Sequence, residues 1–89
     1  MKSVYPVVLT EDKNTVMVFV PDFNIYTEGK DFADAIEMAR DAISLAGICI
    51  EDEGLNLPTP SDIASIKKQE GEVVTLVDVD FDDYRKRND

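Results

Sequence analysis

The 89-residue chain has no histidine, no tryptophan, a single cysteine and only four glycines and four prolines, and none of its apolar runs approaches membrane length. Each absence excludes something. Without histidine, a Ser-His-Asp or Cys-His nucleophile pair and an imidazole metal site lie outside what this chain can build alone. Without a second thiol, Cys49 closes no internal disulfide, and neither a zinc ribbon nor a C-x-x-C redox site is possible, which fits a reducing compartment. A bilayer span needs about 20 apolar residues. The opening M-K-S-V-Y-P-V-V-L-T carries one lysine and a few apolar residues broken by Pro6 before Glu11 and Asp12, too little for a secretory signal. The expected location is the cytoplasm, away from membranes.

What is present is acid. Nine Lys and Arg against nineteen Asp and Glu leave a net charge of −10, so a polyphosphate backbone is repelled over most of the surface and direct nucleic-acid binding is not expected. The same imbalance attracts a basic partner and speeds the encounter with it. The charge is uneven, because the segment 31–53 sets seven acidic residues against the lone Arg40. A hydrophobic fraction of 44% is ordinary for a globular chain and sufficient for one modest core, so a single domain spanning 1–89 is expected.

Val4–Leu9 and Val16–Val20 are apolar, β-branched runs separated by the polar string T-E-D-K-N-T, the pattern of an antiparallel hairpin. Pro6 removes a ladder donor and places the first strand at an edge or a bulge. Asn24–Thr27 forms a short third strand ended by Gly29. From Asp31 to about Ile50, apolar residues recur at Phe32, Ile36, Ala39, Ile43, Ala46 and Ile50, in steps of four and three that put them on one face of a helix. Asp31 suits the N-cap, Asp34 resembles the acidic half of a capping box, and Gly54 is a stop. The two prolines of L-N-L-P-T-P-S-D-I demand a loop, followed by a short helical turn within Asp62–Lys68. Val73–Phe81 alternates as a strand whose even face turns polar at Asp78 and Asp80, and Arg85–Arg87 reads as a solvated tail. The order β-β-β-α-β predicts an α+β fold, a small antiparallel-led sheet with one long helix packed on one face.

Two groups of residues have the chemistry of a binding surface. Asp34, Glu37 and Asp41 lie opposite the helix's apolar stripe, with the charge to meet a basic partner. Asp22, Phe23, Tyr26 and Glu28 form a turn that mixes aromatic and acidic groups, a composition common at interfaces. Asp78 and Asp80 share a strand face about 6.5–7 Å apart, as a metal pair would, but the first strand offers no third carboxylate and the expectation is carboxylates facing water. Cys49 falls near the apolar helix face and is expected to be a buried small hydrophobe. No catalytic residue, metal or cofactor is expected.

Taken in order, Tyr5-Pro6-Val7, Val20-Pro21-Asp22-Phe23, Gly29-Lys30-Asp31-Phe32-Ala33-Asp34-Ala35, Leu57-Pro58-Thr59-Pro60-Ser61 and the ending V-D-V-D-F-D-D-Y-R-K resemble the strings of the HicB family of antitoxins. The resemblance covers nearly the whole chain. It departs at Asn24-Ile25, where the family has Pro-Gly, and at Asp31, where the family caps the helix with Thr or Ser and Asp serves equally well. It implies a partial RNase H-like fold that binds and silences a small basic HicA-type RNA-cleaving toxin, as a homodimer or higher homo-oligomer. Family members commonly continue into a DNA-binding domain, so this chain is expected to be the toxin-neutralising domain alone, without DNA binding. The rival expectation is a stand-alone regulatory or scaffold domain that self-associates through a sheet edge. A metal-dependent nuclease ranks third.

Overall fold

The computed structural model describes residues 2–87. Four strands, β1 (Lys2–Asp12), β2 (Thr15–Val20), β3 (Ile25–Gly29) and β4 (Glu72–Asp80), form one sheet in the order β3-β2-β1-β4, with every neighbouring pair antiparallel. Between β3 and β4 run the long helix α1 (Phe32–Asp52) and a loop holding a 3-10 turn at Ile63–Ser65; a short helix α2 (Phe81–Arg87) follows β4. This is the α+β arrangement the sequence predicts.

Alternation decides which side of the sheet is core. Tyr5, Val7 and Leu9 of β1, Val16, Val18 and Val20 of β2, and Val77 and Val79 of β4 all point to one face, where Ala35, Ala39 and Ile43 of α1 close over them. α1 starts as predicted. Asp31 takes the N-cap and accepts from the Asp34 N–H at 2.8 Å, while the Asp34 carboxylate accepts from the Lys30 N–H at 2.8 Å. At 21 residues it extends about 30 Å at 1.5 Å per residue, enough to cross the sheet.

The face that α1 buries differs from the predicted stripe. Ala35, Ala39, Ile43, Ser44 and Gly47 are the buried positions, and Phe32, first in the predicted series, is exposed. Apart from Ile43 the seam runs along small residues, which let the helix sit close to the sheet. At Gly47 the gap is filled from outside the helix, where the buried Phe81 ring packs so tightly that a Cβ on Gly47 would lie 2.2 Å from Phe81 Cε1.

Three further expectations are corrected. β1 is an interior strand, not an edge; Pro6 is tolerated because the β2 ladder begins only at Val8, leaving β1 unpaired on that side at the proline. Arg85–Arg87 belong to α2, where Arg85 reaches Asp52 at 3.0 Å and Glu51 at 3.4 Å and offsets carboxylates crowded at the negative end of α1. Cys49 is exposed, because it lies outside the rotated seam.

Candidate functional site

Two constraints hold the loop after α1. The Tyr5 hydroxyl donates to the Pro58 carbonyl at 2.8 Å, and Asp22 accepts from the Ser61 N–H at 2.9 Å and from the Ser61 hydroxyl at 2.5 Å. Burial first, and the Asp22 carboxylate second, push the Tyr5 phenol above its ordinary pKa. Beyond Ser61 the chain folds over the sheet face opposite α1, where Ile66 and Lys67 line a groove with Val8, Phe19 and Pro21. Pro6 and Val8 are therefore buried although they point away from the helix.

The rest of that face is open. Strand register sets Tyr26, Phe19, Val8 and Val74 side by side in one row, and Glu28, Met17, Thr10 and Glu72 in the next. Tyr26 is 72% exposed and Met17 42%. The Phe19 and Tyr26 rings stack with centroids 4.7 Å apart at 25°, so Tyr26 stands on an aromatic base that restricts its motion. Glu28 and Asp12 are exposed beside Met17, and among the described residues neither forms an ion pair. Glu72 is engaged locally, accepting from the Gln69 N–H at 2.8 Å.

The seven residues with binding chemistry are dispersed by the fold. Asp22 clamps Ser61, and Phe23 packs against the core with its ring edge-on to Tyr5 at 4.8 Å between centroids. Asp34 is part of the α1 cap. Glu37 and Asp41 lie on α1 in a hollow shared with Arg40, Tyr84 and Arg87. There Arg40 pairs with Glu37 and with Asp78 Oδ1 at 3.0 Å, and also donates to the Asp78 carbonyl at 2.9 Å. The hydrogen bond from Arg40 to the Asp78 carboxylate holds that carboxyl below its ordinary pKa. Burial first, then the bond to Asp41, raise the Tyr84 phenol. Tyr26 and Glu28 remain, on the opposite face of the sheet and at its opposite edge from β4.

Asp78 and Asp80 do not act as a pair. Lys2 lies 3.9 Å from Asp78, whereas Asp80 caps α2 by accepting from the Asp83 N–H at 3.0 Å, the bond chiefly responsible for its lowered pKa. Sequence reasoning missed Met17 and Phe19, which it counted only as part of an apolar run; alternation against the core residues Val16, Val18 and Val20 was the signal that sets them outward.

An aromatic and aliphatic centre edged by carboxylates, on a rigid sheet, has the composition of a protein-binding surface. Residues 5–89 match the family described as HicB_like antitoxin of bacterial toxin-antitoxin system. The chain belongs to that family and is an antitoxin. Three solved structures share its fold. A toxin–antitoxin complex from Streptococcus pneumoniae aligns with a TM-score of 0.83 at 21% identity, over 94% of this chain and 73% of that one. A HicA3 and HicB3 toxin–antitoxin complex aligns at 0.71 and 24% identity, over 88% and 99%. The N-terminal domain of the Burkholderia pseudomallei antitoxin HicB aligns at 0.74 and 26% identity, again over 88% and 99%. No curated protein matches the chain significantly in sequence. Among the described residues no helix is long and apolar enough to cross a membrane.

Proposed function

We propose that this domain neutralises a small basic HicA-type RNA-cleaving toxin by covering its RNA-binding and catalytic surface, with no chemistry of its own. Membership of the antitoxin family over residues 5–89 carries the reading. The net charge of −10 supports it, since a protein that grips RNA is basic and an acidic blocker meets it with complementary potential. Of the seven residues first marked for binding, Tyr26 and Glu28 are the proposed direct contacts, because Asp22, Phe23 and Asp34 hold the fold together and Glu37 and Asp41 are engaged by Arg40 and Tyr84. Self-association into a dimer or higher assembly belongs to the same proposal; the nine-residue β4 is a sheet edge whose outer side has no strand against it among the described residues.

The test is RNA cleavage by a small basic HicA-type protein from the same cells. Adding the domain in equimolar amount should stop cleavage, and separating the two at high salt should restore it. No binding at any salt, or cleavage undiminished by a bound domain, overturns the proposal. Light scattering on the purified domain decides self-association.

A further inference from the structure

The open sheet face has a chemistry more specific than apolar. Tyr26 presents one side of its ring to Phe19 and is 72% exposed, so the other side of the ring is free to receive a planar group. Glu28 is the next residue on the same face of β3, about 6.6 Å along the strand, with its carboxylate in solvent. Met17 is directly opposite Glu28 on β2, a flexible thioether beside the aromatic pair. An aromatic plane with a free carboxylate two residues away on the same strand face matches the guanidinium group, which lies flat on aromatic rings and donates in its own plane to carboxylates.

We infer that this face is the docking surface for the toxin and that it receives an arginine of that basic partner, stacked on Tyr26 and paired with Glu28, with Met17 packed against the arginine's aliphatic stem. The inference rests on the antitoxin reading above and adds the location and chemistry of contact. The charges at this end of the face favour a basic occupant over a second copy of the chain. Asp12, Glu28 and Glu72 surround Met17, and a two-fold contact between copies would bring those carboxylates against their own kind. Lys67 lies across the groove beside Ile66, and Lys13 and Lys30 line a separate hollow on the α1 side. Nucleic acid is repelled by the same carboxylates. Tyr26 is also preorganised by Phe19, so little rotamer freedom is lost on binding.

The experiment titrates that same small basic HicA-type protein, with its cleavage activity removed by mutation, against the full domain and its variants at low and high salt. Tyr26→Phe should keep affinity within about 3-fold, because the ring remains, whereas Tyr26→Leu should weaken it about 30-fold, the loss expected for an anchoring aromatic. Glu28→Gln should slow association and flatten its salt dependence. Thermal unfolding of each variant verifies the fold, and Glu28→Lys gives a second reading if Tyr26→Leu unfolds. Wild-type binding with all these variants unchanged overturns the inference and leaves the antitoxin reading intact. So does loss of binding by the double variant Glu37→Gln, Asp41→Asn alone, which would move the contact to α1. A change of oligomer mass by Tyr26→Leu with unaltered partner affinity assigns the face to a second copy and also overturns it. Failure of the wild-type domain to bind overturns both.

Discussion

Gly47→Ala is the sharpest test of how α1 and α2 are joined. In an isolated helix the change should help, since alanine is favoured over glycine by about 1 kcal/mol in a helix interior. Here the new methyl would lie 2.2, 2.7 and 2.9 Å from Cε1, Cδ1 and Cζ of Phe81, where carbon atoms prefer about 3.5–4 Å. The ring has nowhere easy to go. Phe81 is 1% exposed and belongs to the same cluster as Val77, Val79 and Ile43, so relief must come from a shift of α2 or a strained rotamer. Overpacking of well-filled cores costs about 1–3 kcal/mol, and a clash this deep belongs at the upper end. Subtracting the propensity gain leaves a net loss of about 2 kcal/mol, which for a domain of this size lowers the thermal midpoint by about 8–16 °C. Unfolding followed by circular dichroism measures it. The partner variant Phe81→Leu removes Cε1, the atom nearest the clash, together with Cζ, so the double variant should be less damaged than the two single losses added together, with a coupling of about 1–2 kcal/mol. A midpoint that rises in Gly47→Ala, or strict additivity in the cycle, refutes the notch.

Other expectations follow from the same contacts. Asp22→Ala removes both acceptors for Ser61 and should cost about 1.5–3 kcal/mol while accelerating amide exchange at Ser61; an unchanged exchange rate would show that Tyr5 alone holds the loop. Asp78 is held below its ordinary pKa first by its hydrogen bond from Arg40, so its contribution is complete above about pH 4 and is lost as pH falls through the lower, folded-state value. Urea unfolding between pH 7 and pH 2.5 should therefore be less acid-sensitive below pH 4 in Asp78→Asn, and an identical acid limb would contradict the pairing. Cys49, being exposed, should react fully with a thiol reagent in the folded protein, and Cys49→Ser should change stability by less than about 0.5 kcal/mol; a protected thiol would place it back in the core.

Strand alternation and the three-four spacing of the helix are local properties, which is why β4 and α1 were legible within a residue or two of their ends. The orientation of α1 was not. A stripe drawn through Phe32 and Ile36 follows side-chain size, whereas the packed seam follows closeness of approach, and that favours Ala35, Ala39 and Gly47. α2 escaped for a related reason, since F-D-D-Y-R-K-R has little periodicity and its support lies far away in sequence, at Gly47, Glu51 and Asp52. The binding turn was half legible. Composition singled out Asp22, Phe23, Tyr26 and Glu28 together, yet Asp22 is engaged by Ser61, 39 positions onward, and Phe23 by Tyr5. Only a tertiary fold can sort such residues into those that hold the structure and those left facing water.

The same sorting explains how a chain with so much negative charge can have a directed surface. Asp31, Asp34, Asp62 and Asp80 accept from backbone N–H groups at the starts of helical segments, where the helix dipole favours an anion. Glu37 and Asp78 share Arg40, and Glu51 and Asp52 share Arg85. Asp22 is bound to Ser61. Each of these carboxylates has part of its field cancelled by a fixed donor close by, so its pull on an approaching partner is reduced. Asp12 and Glu28 have no such ion-pair partner among the described residues, and both flank Met17 on the face that α1 leaves uncovered. On the docking proposed above, the charge that steers the encounter and the aromatic group that secures it occupy one side of the sheet.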